Sequence, residues 1–136
     1  MTLEQYGFIE VGEWHLSNSE IKPTLDKLAN ERVVYAFVVD DEVKYVGICD
    51  SPKTTLKKRM GSQRYNKCMP NLIKKEKEAE KVVKIFALKP EESEYKGLRV
   101  DLVRGLEYPL ISQLNNPEWN EILSKYRRRK YQDEKC

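Results

Sequence analysis

Two tyrosines ten residues apart, Tyr35 and Tyr45, are the first residues in the chain whose types and spacing could do chemistry. Each lies in a short run of β-branched and aromatic residues, and the two runs flank the acidic triplet Asp40-Asp41-Glu42, a pattern that indicates a β-hairpin. A positioned phenol can take part in proton transfer. Two strand tyrosines can also simply pack a core, and the hairpin taken alone favours that alternative.

The length of the hairpin loop decides which face carries each phenol. Opposed residues of an antiparallel pair have a constant index sum, so only an odd loop places Tyr35 and Tyr45 on the same side. A two-residue Asp-Asp turn would need positive φ at both positions, which Asp-Asp suits poorly. We therefore expect the three-residue loop Asp40-Asp41-Glu42, with Tyr45 opposite Phe37. Gly47 leaves room for another group to approach the second strand.

Positive charge is concentrated in the middle of the chain. The net charge is only +3, but residues 53–84 carry 11 Lys/Arg against 3 Asp/Glu, whereas residues 1–52 carry 4 against 10. The cations without an acidic neighbour between them are Lys53, Lys57, Lys58, Arg59, Arg64 and Lys67. A polyanion explains this cluster better than a solvated helix face does. The planar guanidinium of Arg59, on a helix predicted at about 53–64, would match a phosphate group.

Glu107 is a carboxylate on the apolar face of a helix predicted from Leu98 to about Asn115. A charge among apolar side chains needs a partner, and a divalent cation would stabilise its ionised form. A paired core group, or an edge position open to solvent, is the alternative. Pro109 removes a backbone donor and should kink or restart this helix.

Length and composition bound the remaining possibilities. A chain of 136 residues suits one domain, and no apolar run approaches the roughly 18 residues of a membrane span. The N-terminal residues do not resemble a signal peptide, so we expect a cytoplasmic protein without a membrane partner. The single histidine, His15, and the lack of a Cys-x-x-Cys pair exclude the common zinc sites.

Local patterns predict an alternation of strands and helices. Residues 1–32 are expected to form a strand at 7–16 and a helix at 20–30, which Ser17-Asn-Ser19 would cap, and to pack on the core as an extension. The core, residues 33–122, is expected to hold strands at 33–39, 43–49 and 82–88 and helices at 53–64, 70–80 and 98–115. Residues 123–136 are expected to form a basic helix or tail.

In order and spacing, five residues of the core resemble the motifs of the GIY-YIG endonucleases. Tyr35 follows Val33-Val34 where the family has Gly-Ile, and Tyr45-Val46-Gly47 is similar to Tyr-Ile-Gly. Arg59 resembles the arginine of the next helix, Glu107 the glutamate of a later helix, and Asn120 the asparagine that follows it. The resemblance covers residues 33 to 120, which is most of the chain.

The resemblance implies an α+β fold, with a small three-stranded antiparallel sheet flanked by helices, and an Mg²⁺-dependent endonuclease that cleaves DNA. Mn²⁺ or another divalent metal is the other cofactor to expect. Glu107 would be the metal ligand, and Arg59 would bind the phosphate. Tyr35, with its pKa lowered by nearby cations, would help to deprotonate water, Tyr45 would orient that water, and Asn120 would position backbone or phosphate. Gly47 would be structural.

DNA is the partner that the resemblance implies. The residues expected to contact it are Lys53, Lys57, Lys58, Arg64, Tyr65 and Lys67. Many family members have a histidine one turn after the arginine, where this chain has Gln63, and Tyr65 is a candidate substitute. A catalytically silent DNA-binding module derived from a nuclease is the alternative function. The biological context (restriction, repair or mobile elements) and a homodimer are left open.

Overall fold

The computed structural model describes residues 2–64 and 68–128, the last two by their backbone alone. Within these ranges the main sheet has five antiparallel strands, in the spatial order β2-β1-β5-β3-β4. The strands are β1 (Ile9–Ser17), β2 (Glu20–Leu25), β3 (Val34–Val39), β4 (Glu42–Ile48) and β5 (Val83–Leu88). The helices are α1 (Leu56–Gln63), α2 (Met69–Glu78), α3 (Leu102–Gln113) and α4 (Glu118–Arg128). A 3-10 turn (Leu3–Tyr6) precedes β1, and a hairpin of β6 (Ser93–Tyr95) and β7 (Leu98–Val100) precedes α3.

The α+β class is confirmed, but the sheet has five strands rather than the expected three. The helix expected near 20–30 is wrong, because this segment contains β2, which pairs with β1. Asn18 and Ser19 were predicted to cap that helix. Their φ values are 52° and 65°, which suit a two-residue turn between strands. Pro23 is tolerated because β2 is an edge strand. The N-terminal extension thus contributes two strands to the main sheet.

Helices cover both faces of the sheet, which explains why every residue of β3 is buried. Alternate residues of β3 point to opposite faces. Tyr35 and Phe37 belong to a core cluster that includes Met60 of α1 and Trp119 of α4. The other face of β3 packs in a second cluster, which includes Val103 and Leu110 of α3. The strand is therefore the centre of a three-layer arrangement.

The region before α3 differs from the prediction. The helix begins at Leu102 rather than Leu98, because residues 93–100 form the β6–β7 hairpin. Asp101 caps α3, since its side chain accepts a hydrogen bond from the backbone N–H of Val103 at 3.1 Å. Pro109 lies inside α3 and neither ends nor restarts it. Buried Val103 and Leu110 anchor the helix to the sheet on both sides of the proline.

The C-terminal helix crosses the boundary expected between residues 122 and 123, because α4 extends to Arg128. Residues 129–136, the rest of the expected basic tail, lie outside the described residues. Among the described residues, no helix is both long enough and apolar enough to cross a membrane. The division of the chain into extension, central domain and tail stays a prediction.

Candidate active site

The β3–β4 hairpin places both tyrosines on one face, as expected, but its turn and strand pairing differ from the prediction. Phe37 pairs with Tyr45, and Tyr35 pairs with Gly47. The loop is a two-residue turn rather than a three-residue one, with φ values of 51° at Asp40 and 62° at Asp41. The odd residue is a β-bulge at Lys44, because Val38 pairs with Val43 whereas Phe37 pairs with Tyr45. Because of this extra residue, Tyr35 and Tyr45 point to the same face, whereas a two-residue turn without a bulge would put them on opposite faces.

Gly47 is needed because the two phenol rings lie across it. A Cβ at this position would lie 2.5 Å from both Cζ and Oη of Tyr35, and 2.8 Å from Cε2 of Tyr45. The two rings themselves are tilted, with their centroids 6.1 Å apart. No larger residue fits here without displacing Tyr35, whose side chain is fully buried.

The hydroxyl of Tyr35 is held by two nitrogen donors from α1. Arg59 Nε donates to Tyr35 Oη at 3.1 Å, and Gln63 Nε2 donates to the same oxygen at 2.7 Å. Burial, reinforced by the nearby Tyr45, raises the pKa of Tyr35 far above its usual value, and the hydrogen bonds from Arg59 and Gln63 offset this only in part. The expectation of a lowered pKa is therefore wrong in direction, because desolvation outweighs the neighbouring cation.

Four of the five motif residues line one cavity of about 440 Å³ beside β4: Tyr45, Arg59, Glu107 and Asn120. Tyr35 does not line the cavity but joins the group through its hydrogen bond to Arg59. The other lining residues are Ile48, Asp50, Ile111, Asn116, Leu123 and Ser124. Since β4 is an edge strand with α3 and α4 packed on opposite faces, the cavity lies where these two helices meet the sheet edge.

Asn120 binds the edge of β4 through both the oxygen and the nitrogen of its side-chain amide. Its Oδ1 accepts from the backbone N–H of Val46 at 2.8 Å, and its Nδ2 donates to the Val46 carbonyl at 2.9 Å. These bonds take the place of a further strand. They fix α4 against the segment that carries Tyr45 and Gly47.

The loop after β4 is fixed by an arginine and aspartate network. Arg32 donates to the backbone carbonyls of Asp50 and Ser51 at 2.9 and 3.0 Å. It also forms a bidentate ion pair with Asp101, with distances of 2.7 and 2.8 Å. Arg104 of α3 pairs with the Asp50 carboxylate at 2.8 Å. The network joins the start of α3, the helix of Glu107, to the loop that presents Asp50 to the cavity.

Sequence reasoning missed Asp50 and Asn116 as cavity residues. Asn115 and Asn116 both have φ values of 57°, a left-handed conformation that asparagine tolerates well. The Asn-Asn-Pro117 sequence is a turn signal that would have indicated a reversal between two helices. Nothing in the sequence near Asp50 indicates that α3 and α4 would pack beside it.

Two carboxylate residues, Glu107 and Asp50, are the cavity residues that could hold a metal ion. Among the described residues, no three His, Cys, Asp or Glu side chains come together as metal ligands. Mg²⁺ needs no such cluster, because it keeps several waters and is often bound by one or two carboxylates with substrate phosphates. Half-buried Glu107, with Asp50 lining the same cavity, fits that pattern.

The predicted DNA-contacting residues divide into three groups. Lys53, Lys57 and Lys58 are exposed and form no ion pair with any described residue. Arg64 lies 3.8 Å from Glu20 and lines a different cavity. Tyr65 and Lys67 lie outside the described residues.

The first backbone donors of α1 are already occupied. Leu56 N–H donates to the Glu31 carbonyl and Lys57 N–H to the Ala29 carbonyl, both at 2.9 Å, and Lys58 N–H donates to the Thr55 hydroxyl at 3.3 Å. Phosphate recognition at this end of the helix would therefore fall to side chains rather than to free N–H groups.

Comparison with solved structures shows that the fold has a known counterpart. The structure of EndoII from bacteriophage T4, determined for a glutamate-to-alanine mutant, has a TM-score of 0.63 and 25% sequence identity, over 86% of this chain and 94% of that chain. The restriction endonuclease HPY188I in complex with product DNA has a TM-score of 0.49 and 16% identity, over 83% of this chain and 79% of that chain. No protein-family model and no curated protein matches the sequence. The chain thus shares its fold with T4 EndoII.

Proposed function

We propose that the protein is an Mg²⁺-dependent endonuclease of the GIY-YIG type that hydrolyses DNA phosphodiester bonds. The observation that carries the proposal is the meeting of Tyr45, Arg59, Glu107 and Asn120 in one cavity, with Tyr35 bonded to Arg59. These five residues come from five separate elements, so their meeting is not a consequence of sequence proximity. The fold shared with T4 EndoII supports DNA cleavage as the activity.

Arg59 is suited to bind the scissile phosphate. Its Nε is used by Tyr35, and its terminal nitrogens have no hydrogen-bond or ion-pair partner in residues 2–64 and 68–128. A guanidinium presents those nitrogens as a planar fork that matches two phosphate oxygens. Held in place by the bond to Tyr35, the fork would stabilise the negative charge that develops on the phosphate during hydrolysis.

Glu107 is the residue that we propose as the metal ligand. It lines the cavity from α3, whereas Arg59 lines it from α1. A bound Mg²⁺, or Mn²⁺ in its place, would supply Lewis-acid stabilisation of the phosphate and of the leaving oxygen. Asp50, whose carboxylate is paired with Arg104, adds a second carboxylate to the cavity wall.

Tyr45 is the residue that we propose to orient the attacking water. It is 6% exposed and lines the cavity, and its hydroxyl forms no hydrogen bond with a described residue. The ring stacks on Phe37 with a centroid separation of 5.6 Å, which fixes its direction. A hydroxyl that is held in place but unbonded can both donate to and accept from a water molecule.

DNA binding is proposed for the exposed lysines at the start of α1. Lys57 and Lys58 lie in the first turn, where the helix dipole disfavours cations by about 0.3–1 kcal/mol each. Helix stability does not explain them, and neither does an ion pair with any described residue. A phosphate backbone would, and Arg59 of the site lies next to them in the same helix.

Plasmid cleavage tests the proposal directly. Purified protein is incubated with supercoiled plasmid in Mg²⁺, in Mn²⁺ and in EDTA, and nicked and linear products are measured. We expect cleavage with either metal and none with EDTA. Binding of the plasmid without cleavage under all three conditions would instead support the silent DNA-binding module.

A further inference from the structure

Asn116 is a cavity residue that no step of the proposed hydrolysis uses. It lines the same cavity as Tyr45 and Arg59, and it is exposed, so it lies at the rim. Its side-chain amide forms no hydrogen bond with any described residue. An asparagine amide has one acceptor oxygen and two N–H donors. All of these groups are therefore open to a molecule bound at the cavity.

The backbone around Asn116 is held in place. Asn116 belongs to the reversal between α3 and α4, and its φ of 57° is left-handed. Its backbone N–H donates to the carbonyl of Ile111 at 2.8 Å, and Ile111 lines the same cavity. The next residue, Pro117, is buried. A side chain on such a fixed backbone loses little freedom on binding a ligand.

The two helices on either side of the sequence motifs differ in charge. Helix α1 carries three cations and no acidic residue. The first two turns of α4 carry Glu118 and Glu121 and one cation, Lys125, which pairs with Glu121 at 3.1 Å. A DNA phosphate is therefore favoured near α1 and disfavoured near the start of α4. The uncharged part of a nucleotide, its base, suits the α4 side, where Asn116 lies.

We propose that Asn116 is a specificity-determining residue whose amide binds the edge of a base next to the scissile phosphate. The inference rests on the proposed function. The base that an asparagine amide matches best is adenine, because the amide oxygen accepts from N6–H while the amide nitrogen donates to N7. The other asparagine of the cavity, Asn120, is not free for this role, since its oxygen and nitrogen are both bonded to Val46.

Cleavage of a randomised duplex library measures the preference. Wild-type protein cuts the library in Mg²⁺, and sequencing of the new ends gives the base frequencies on each side of the cut. We expect a preference for adenine at one position. Asn116→Gly removes the amide but suits the left-handed backbone. It should lose the preference and cut the preferred sites about tenfold to a hundredfold more slowly. An unchanged preference in Asn116→Gly would overturn the inference.

Asn115→Gly is the matched control. Asn115 has the same φ of 57° and is also exposed, but it does not line the cavity. The two glycine variants therefore change the backbone of the turn in the same way and should melt at similar temperatures. Asn115→Gly should keep the wild-type preference. Equal loss of preference in both variants would assign the effect to the turn and contradict the role of the amide.

Asn116→Asp changes the hydrogen-bonding groups and keeps the shape of the side chain. A carboxylate only accepts hydrogen bonds, and its match is the N4 donor of cytosine. The preference should therefore shift from adenine toward cytosine at the same position. Relative base frequencies are the readout, so a general slowing by the added charge does not affect the comparison. A profile identical to that of wild type would contradict base recognition.

Binding in EDTA separates contact with the base from contact with the backbone. Short duplexes of the preferred sequence are compared, by fluorescence anisotropy, with duplexes in which the adenine is replaced by an abasic position. Wild-type protein should lose about tenfold in affinity, and Asn116→Gly should not distinguish the two. Equal losses in both proteins would overturn the inference. Wild-type protein that cuts no DNA would overturn the proposed function and this inference together, whereas normal cutting with no effect of Asn116 would overturn the inference alone.

Discussion

Among single residues, Gly47 shows how an absent side chain shapes the site. We expect Gly47→Ala to lower the free energy of unfolding by about 1–3 kcal/mol, because its Cβ would overlap the fully buried ring of Tyr35. Cleavage should fall as well, since Tyr35 is bonded to Arg59. Denaturant unfolding and plasmid cleavage check both effects.

Gly61→Ala is the matched control for Gly47→Ala. A Cβ at Gly61, inside α1, would meet no atom within 4 Å. Replacing a helical glycine by alanine should therefore stabilise the protein by roughly 0.5–1 kcal/mol. If Gly47→Ala proved as stable as this control, the close packing of the two phenols across β4 would be contradicted.

Glu107 gives the sharpest prediction about a single side chain. Glu107→Gln should abolish Mg²⁺-dependent cleavage and leave the melting temperature nearly unchanged, because the amide is isosteric and the position is only half-buried. A structural ion pair would behave differently, since breaking a buried pair costs about 3–5 kcal/mol. Thermal melts and plasmid nicking separate the two cases, with Glu78→Gln on exposed α2 as control. A Glu107→Gln protein that melts early yet still cuts DNA would refute the proposed role.

Among the elements, the contact between α4 and β4 depends on one amide. Asn120→Ala should destabilise the protein by about 1–3 kcal/mol, because both hydrogen bonds to Val46 are lost and the backbone groups of a part-buried strand are left without their partner. Activity should fall further than stability explains, since Val46 lies between Tyr45 and Gly47. Denaturant unfolding and cleavage rates measure the two effects, and Asn71→Ala, on the exposed side of α2, should be neutral.

The Arg32–Asp101 ion pair links stability to pH. Hydrogen bonding to Arg32 lowers the pKa of Asp101 below its usual value. The stability that the pair contributes is therefore fully present above the ordinary carboxylate pKa of about 4, and is lost as the pH falls through the lowered value. Asp101→Asn keeps a capping oxygen but removes the charge, so its deficit relative to wild type should shrink as the solution becomes more acidic.

Unfolding by denaturant from neutral to strongly acidic pH measures that deficit. Asp26→Asn is the control, since Asp26 is exposed and forms no ion pair with a described residue. A deficit for Asp101→Asn that stayed constant across this range would show that the pair does not contribute through its charge.

Elements were predictable where pattern and packing agree. The alternation around Asp40-Asp41 indicated the hairpin, and the apolar run at 82–88 indicated β5. Ser17-Asn-Ser19 indicated a helix cap, but the same residues also suit a two-residue turn, and pairing with β1 decided between the two. Such pairing is a long-range effect that local propensity does not contain.

At the scale of the whole molecule, binding to DNA should depend on salt. Each phosphate that the protein neutralises releases about 0.9 counterion, so log affinity should fall linearly with log salt. Lys57→Glu with Lys58→Glu should weaken binding to all sequences and reduce that slope, as fluorescence anisotropy at several salt concentrations would show. Lys75→Glu with Lys77→Glu, an equal change of charge on α2, should have a smaller effect. Equal losses in both double variants would indicate a response to net charge alone.

The residues of the candidate site were partly predictable from the sequence, because they have distinctive types and order. The shape of the site was not predictable. Glu107 was predictable as a candidate because it is a carboxylate on an apolar helix face, and in the structure it lines the cavity together with Ile111. The meeting of α3 and α4 at one sheet edge depends on the reversal at Asn115 and Asn116. The direction of the Tyr35 pKa depends on complete burial, which appears only when the helices are packed on β3.

The bulge at Lys44 adds one residue to the sequence separation of the two tyrosines without changing where they lie. Lys44 has no partner on β3, so a chain that lacked it would pair Phe37, Ala36 and Tyr35 with the same residues as before. Its phenols would lie nine positions apart instead of ten, yet would occupy the same places in space. Lys44 instead extends to Glu118 of α4, 3.8 Å away, next to the helix turn that carries Asn120. Gain or loss of one residue here would therefore change the anchoring of α4 and leave the tyrosine pair intact, so a search for distant relatives should allow both spacings.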